Sequence, residues 1–80
     1  MPTLDMSREI ERRIAEQIPD ADVSARMNGD RHYTVAVKSA SFAGESMLAS
    51  HRRVLRAIAP LMDGDDAQVH AIDAQRTSAP

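Results

Sequence analysis

The sequence predicts an α+β fold in which a three-stranded sheet is covered on one face by helices, a two-layer sandwich in the order α-β-β-α(α)-β. Three observations carry this. Apolar residues recur at helical spacing over residues 10–18. Two stretches that alternate with period 2 flank Asn28-Gly29. A second helical stretch then gives way to renewed alternation near the end of the chain. Three strands alone are marginal in water, but a helical layer makes such a sheet independently stable.

The elements follow in order. Ile10, Ile14 and Ile18 fall at i, i+4 and i+8 with Ala15 beside them, while Arg8, Arg12 and Arg13 read as a solvated face paired with Glu9 and Glu11. This first helix starts near Asp5 or Ser7, either of which can accept a backbone hydrogen bond, and stops before Pro19. Ala21, Val23, Ala25 and Met27 then alternate with polar residues as a strand. Asn28-Gly29 with Asp30 is a hairpin signal, because these residues tolerate the positive φ of tight turns. Tyr33, Val35 and Val37 alternate with His32, Thr34, Ala36 and Lys38 in a second, antiparallel strand with one buried face.

Residues 39–45 read as a loop. From Ser46 onward Met47, Val54, Leu55, Ile58, Leu61 and Met62 repeat at helical intervals, with Arg52, Arg53 and Arg56 on the outer side. Pro60 kinks this helix or ends it near Ala59, leaving one helix or two short ones. Met47, Leu61 and Met62 read as core filling. Asp63-Gly64-Asp65-Asp66 is a turn. Residues 68–75 form the third strand, with Val69 and Ala71 opposing His70, Ile72 and Ala74, and residues 77–80 read as a loose tail.

Eighty residues make one domain, 1–80, whose short chain buries only about 60% of its unfolded surface. A 42% apolar and 28% charged composition is that of a packed globular chain. The net charge of -2 gives no global attraction to phosphate or anionic lipid. With no cysteine, the chain alone can build no disulfide, thiolate metal site or cysteine nucleophile. The opening MPTLDMSREIERR is too polar for a signal peptide and no apolar run approaches bilayer length, so a soluble, cytoplasmic protein without membrane contact is expected.

Several short stretches recur together in one known family. They are His32-Tyr33 followed by Val35, Val37 and Ser39; Phe42-Ala43-Gly44; His51-Arg52-Arg53-Val54; and Val69-His70-Ala71-Ile72. In order and spacing they resemble the BolA family, whose pattern runs roughly H-F-x-V-x-V-x-S, F-x-G, R-H-R-x-V-Y and I-H-A-L over a domain of this size. Ser50 stands where that family usually has arginine, Leu55 where it often has tyrosine, and the usual threonine-proline ending is absent.

The resemblance implies a class II KH-like topology and a partner, a monothiol glutaredoxin, with which a [2Fe–2S] cluster is shared. It implies His70 as the main metal ligand and His32 as an auxiliary one, although in some relatives the matching loop residue is a cysteine aligned closer to Gly29. It further implies a docking surface around His51, Arg52, Arg53 and Arg56, with the free protein a monomer or weak homodimer. The chemistry is compatible: neutral imidazole can replace thiolate on such a cluster, and a chain without cysteine joins only as a minority donor, with sulfur from the glutaredoxin and its glutathione. Ligation by neutral imidazole weakens as pH falls toward the reference histidine value of about 6.5.

Other readings compete. Taken alone, His70 reads as a partly buried strand histidine bonded to a neighbour, His32 as a solvated residue and His51 as a structural one. The equal spacing of the three histidines fits no three-histidine zinc site. A KH-like fold invites the alternative of a DNA-binding transcriptional regulator using Arg52, Arg53 and Arg56. The KH clamp G-x-x-G is missing, however, since Gly29, Gly44 and Gly64 stand apart. No G-x-S-x-G, H-E-x-x-H or Walker loop assembles a catalytic group, so no enzyme is expected, and Asp65 and Asp66 fit turn chemistry.

Overall fold

The isoleucine stripe organises the helical layer. In the computed structural model, which describes residues 4–64 and 67–80, helix α1 spans Ser7–Gln17 and buries Ile10 and Ile14, with Ile18 buried just beyond its end. Asp5 accepts hydrogen bonds from the Ser7 N–H (2.9 Å) and the Ser7 hydroxyl (2.6 Å), which covers one of the donors a helix start leaves unpaired. The solvent face carries the expected ion pairs of Glu9 with Arg12 and Arg13, and adds one from Arg12 to Glu16. Glu11 departs from the expected pairing: its carboxylate accepts the Ala25 N–H at 3.0 Å, covering an open backbone donor of the sheet edge.

Strands β1 (Asp22–Gly29) and β2 (His32–Lys38) form the antiparallel hairpin, and β3 (Ala71–Ser78) adds to β2 in parallel, giving a mixed sheet of order β1-β2-β3. Tyr33, Val35 and Val37 of the central strand are buried against the helices. The Tyr33 hydroxyl accepts the buried Met6 N–H (2.9 Å) and donates to the Leu4 carbonyl (3.4 Å), fastening the entry to α1 onto the sheet. Hairpin formation at Asn28-Gly29-Asp30 matches the sequence, but the positive φ falls elsewhere. Arg31 takes it, at 59°, while Gly29 remains in β1 opposite His32.

Residues 39–45 contain one tight 3-10 turn, Ala40–Phe42, where a structureless loop is expected from sequence. Asp20 holds it: one carboxylate oxygen accepts the Ser39 hydroxyl (2.7 Å), the other the Ala40 N–H (2.9 Å). The Ser39 bond, aided by the Ala40 N–H, keeps the Asp20 carboxyl below its usual pKa despite some desolvation.

Ser46 caps helix α2 (Met47–Ile58) by accepting the Ala49 N–H at 3.1 Å. Pro60 acts as its position dictates: the α-helix ends at Ile58 and a 3-10 turn, Ala59–Met62, carries the chain on. Val54, Ala57, Ile58 and Leu61 enter the core and Met62 packs against it. Met47 is not core filling, being 70% exposed at the first turn of α2, where no neighbouring element covers it.

The third strand starts later and ends later than its alternation suggests. Thr77 and Ser78 pair with Val37 and Lys38, so only Ala79 and Pro80 follow the strand. Its register shifts between Tyr33 and Thr34, whose partners are Ile72 and Ala74, leaving Asp73 as the extra residue of a β-bulge. A bulge reverses which face later residues take. Ile72, Gln75 and Thr77 therefore face the helices while Ala74 and Arg76 face outward, and the expected grouping of Ile72 with Ala74 is broken. Had this sequence paired regularly, with no bulge, Arg76 would point into the core. The part of the expected turn formed by Asp65 and Asp66 lies outside the described residues.

Candidate metal-ligand site

Arg31 builds the site from the backbone. Its left-handed conformation turns its carbonyl toward the chain entering β3, where it accepts both the His70 N–H (2.7 Å) and the Ala71 N–H (3.2 Å). The Arg31 side chain adds a bond to the Ala67 carbonyl at 3.4 Å. Val69, fully buried and bonded through its N–H to the Leu61 carbonyl (3.1 Å), anchors the other side. The hairpin tip and the start of β3 are thereby locked together. His32, first residue of β2, and His70, last residue before β3, become neighbours although far apart in sequence.

Their rings lie 5.4 Å apart, centroid to centroid, inclined at 47°. His70 is exposed and His32 is 42% exposed at its side chain, so a visitor can reach both. The reading of His70 as partly buried thus gives way to an open imidazole. With metal–nitrogen bonds of about 2.1 Å and a ring radius of about 1.2 Å, two imidazoles on one tetrahedral ion have centroids about 5.4 Å apart. The observed spacing fits. Among the described residues no cluster of three or more His, Cys, Asp or Glu side chains is disposed to hold a metal ion, so a four-coordinate metal held by these two imidazoles would need further donors from elsewhere. That donor set suits a cluster whose other ligands are sulfur atoms of a second molecule.

A side chain that sequence reasoning missed completes the surroundings. Asp73, carried on the bulge, places Oδ1 2.8 Å from His32 Nδ1, and its Oδ2 accepts from Asn28 Nδ2 at 3.3 Å. The hydrogen bond with His32, then that with Asn28, holds the Asp73 carboxyl below its usual pKa against a smaller desolvation effect. Asn28 also donates to the Thr34 hydroxyl at 2.7 Å.

His51 and the arginines stand elsewhere. The Gln75 amide donates to the His51 carbonyl at 3.0 Å, which ties His51 to a point on β3 five residues beyond His70, roughly 16 Å along an extended strand. His51 is therefore outside the reach of the His32–His70 pair, and the equal spacing of the histidines has no structural counterpart. Arg53 is committed internally: it pairs with Glu45 (2.9 Å), bonds the Ser41 hydroxyl (3.1 Å) and stacks over Phe42 at 5.1 Å. It clamps the 3-10 turn onto α2 instead of presenting a charge outward. Arg52 and Arg56 remain exposed.

Beside them Leu48 (60% exposed) and Leu55 (38%) share the outer side of α2 with Arg52, at i, i+4 and i+7. Exposed leucines grouped in this way mark a contact surface more readily than scattered ones. Ser50, where arginine is usual in the family the sequence resembles, is buried and bonds the Thr77 hydroxyl at 2.5 Å, a neighbour the bulge has turned inward. Among the described residues no helix is long and apolar enough to cross a membrane.

Comparison with known proteins agrees with the fold. The family model for BolA-like protein matches residues 5–80. The fold is similar to that of a bolA protein homologue from Coxiella burnetii, with a TM-score of 0.76 and 27% identity over 96% of this chain and 94% of that one. It is also similar to BolA1 from Arabidopsis thaliana, TM-score 0.75 and 14% identity over 96% and 94% of the two chains. The BolA domain of SufE1 from Arabidopsis thaliana gives a TM-score of 0.69 and 13% identity over 99% and 96%. A search of curated proteins finds no match. With a matching family model over nearly its full length and the fold to go with it, the chain belongs to the BolA family.

Proposed function

We propose that this chain is an adaptor, not an enzyme, that binds a monothiol glutaredoxin in the cytoplasm and shares a [2Fe–2S] cluster with it. His70 and His32 would donate imidazole nitrogens, and the partner and its glutathione would supply the sulfur. The cluster contributes the capacity to be transferred or to respond to iron and redox state; this chain's side chains set how it is held. The observation that carries the reading is the pair of accessible imidazoles 5.4 Å apart in a chain without a single cysteine. The exposed side of α2, with Leu48, Arg52 and Leu55, supports a docking surface next to β3. That surface revises the expected one, because Arg53 is engaged within the molecule.

The same engagement weakens the DNA-binding alternative, which loses one of three cations from its proposed basic face. Binding that depended on phosphate contacts would fall steeply with salt.

The test mixes the protein with glutathione-loaded, cluster-bearing monothiol glutaredoxin and records visible circular dichroism. The native chain is expected to change the spectrum, His70→Ala to abolish the change and His32→Ala to alter it. A spectrum that responds identically to the native chain and to His70→Ala contradicts the reading.

A further inference from the structure

We infer that Asp73 is a positioning residue that fixes the tautomer of His32 and leaves its Nε2 lone pair available to a metal. This rests on the proposed ligand role of His32 and adds a residue that the family pattern of the sequence does not mark. An ionised carboxylate only accepts hydrogen bonds. With Asp73 Oδ1 at 2.8 Å, the His32 Nδ1 must carry the proton and donate it, so in the neutral ring the nitrogen free to bind a cation is Nε2. Metal-binding histidines commonly donate their second ring N–H to a carboxylate in this manner, which orients the ring and increases its basicity.

The support behind Asp73 is also built. Asn28, next to last in β1, donates to Asp73 Oδ2 (3.3 Å) and to the Thr34 hydroxyl (2.7 Å), bridging β3 to the two hairpin strands. The bulge that brings Asp73 here is the same irregularity that keeps Arg76 out of the core, so the position of the carboxylate is set by the register of the whole strand. His70 has no such partner among the hydrogen bonds of its ring in the described residues. The two ligands are therefore unequal: His32 is held before the partner arrives, and His70 is free to turn toward it.

Two measurements on the intact chain test this. Long-range ¹H–¹⁵N correlation of the free protein at pH 8 reads the tautomer of His32 directly. The expected result is Nδ1–H in the native protein and a substantial Nε2–H population in Asp73→Ala, with an otherwise native amide spectrum. In titrations with cluster-bearing glutaredoxin followed by visible circular dichroism, Asp73→Ala should need about tenfold more protein to reach the same change, in line with losses for such partners. An Nε2–H tautomer in the native protein overturns the inference, as does Asp73→Ala with unchanged tautomer and unchanged titration. If native protein, His32→Ala and His70→Ala all leave the glutaredoxin spectrum alone, the adaptor reading fails and the metal role of Asp73 fails with it, whereas a shifted titration for Asp73→Ala alone leaves both standing.

Discussion

Single side chains here do work that their types do not announce. Glu9 takes hydrogen bonds from both Arg12 and Arg13, which hold its carboxyl down to about 2 from the ordinary glutamate range. Because the folded value is depressed, the associated stability is present above the unfolded value near 4.5 and is lost as pH falls through about 2. Carbon-detected titration of the side-chain carboxyls should show Glu9 titrating near pH 2; a midpoint above 4 would mean the pairs are not formed in solution. Asp73 and Arg53 teach a related lesson. The sequence shows Asp73 only as a charge between apolar residues and Arg53 only as one of an arginine pair, but their roles depend on His32, Asn28, Glu45 and Phe42, which only the folded chain brings near. The family pattern marks His70 and His32 as candidates, whereas their closeness is visible only in the fold.

Elements were readable where one face is buried without interruption. Tyr33, Val35 and Val37 in β2, and Ile10, Ile14 and Ile18 in α1, keep a constant period against a constant neighbour, so periodicity alone locates them. The strand β3 resists this reading because a single extra residue, Asp73, reverses the phase halfway. The hairpin was visible in Asn28-Gly29, yet its left-handed residue is Arg31, because the carbonyl that must turn toward β3 belongs to that position. In α2, periodicity marked Met47 and Leu55 as apolar without distinguishing a covered position from an open one. This exposure leads to a prediction for the element. Leu48→Glu together with Leu55→Glu should change stability by less than about 1 kcal/mol, since exposed positions contribute little to folding. The same pair should weaken glutaredoxin binding at least about tenfold, the equivalent of one buried apolar contact. Unchanged binding by isothermal titration calorimetry would remove this side of α2 from the interface.

At the scale of the molecule, thirteen buried apolar residues among those described form one core between two helices and a three-stranded sheet, and the margin is narrow for so short a chain. A domain of this size is stable by about 4–12 kcal/mol. Removing the fully buried Ile14 side chain by Ile14→Ala should cost about 2–5 kcal/mol, a large share of that total. Urea denaturation should show the midpoint fall accordingly; a loss below 1 kcal/mol would contradict the packing of α1 on the sheet. The same compact frame explains how a small chain offers a site at all. One crossover through α2 lays β3 beside β2 in parallel, and this alone brings the residue before β3 next to the first residue of β2. The α+β order could be read from periodicity, but the parallel pairing that makes the site comes from tertiary contacts.

The most direct measurement is pulsed electron paramagnetic resonance on the reduced cluster in the mixed complex, with this chain alone labelled with ¹⁵N-histidine. The account predicts strong coupling to two histidine nitrogens, one disappearing in His70→Ala and the other in His32→Ala. A reduced cluster whose electron spin couples strongly to no labelled nitrogen would contradict it.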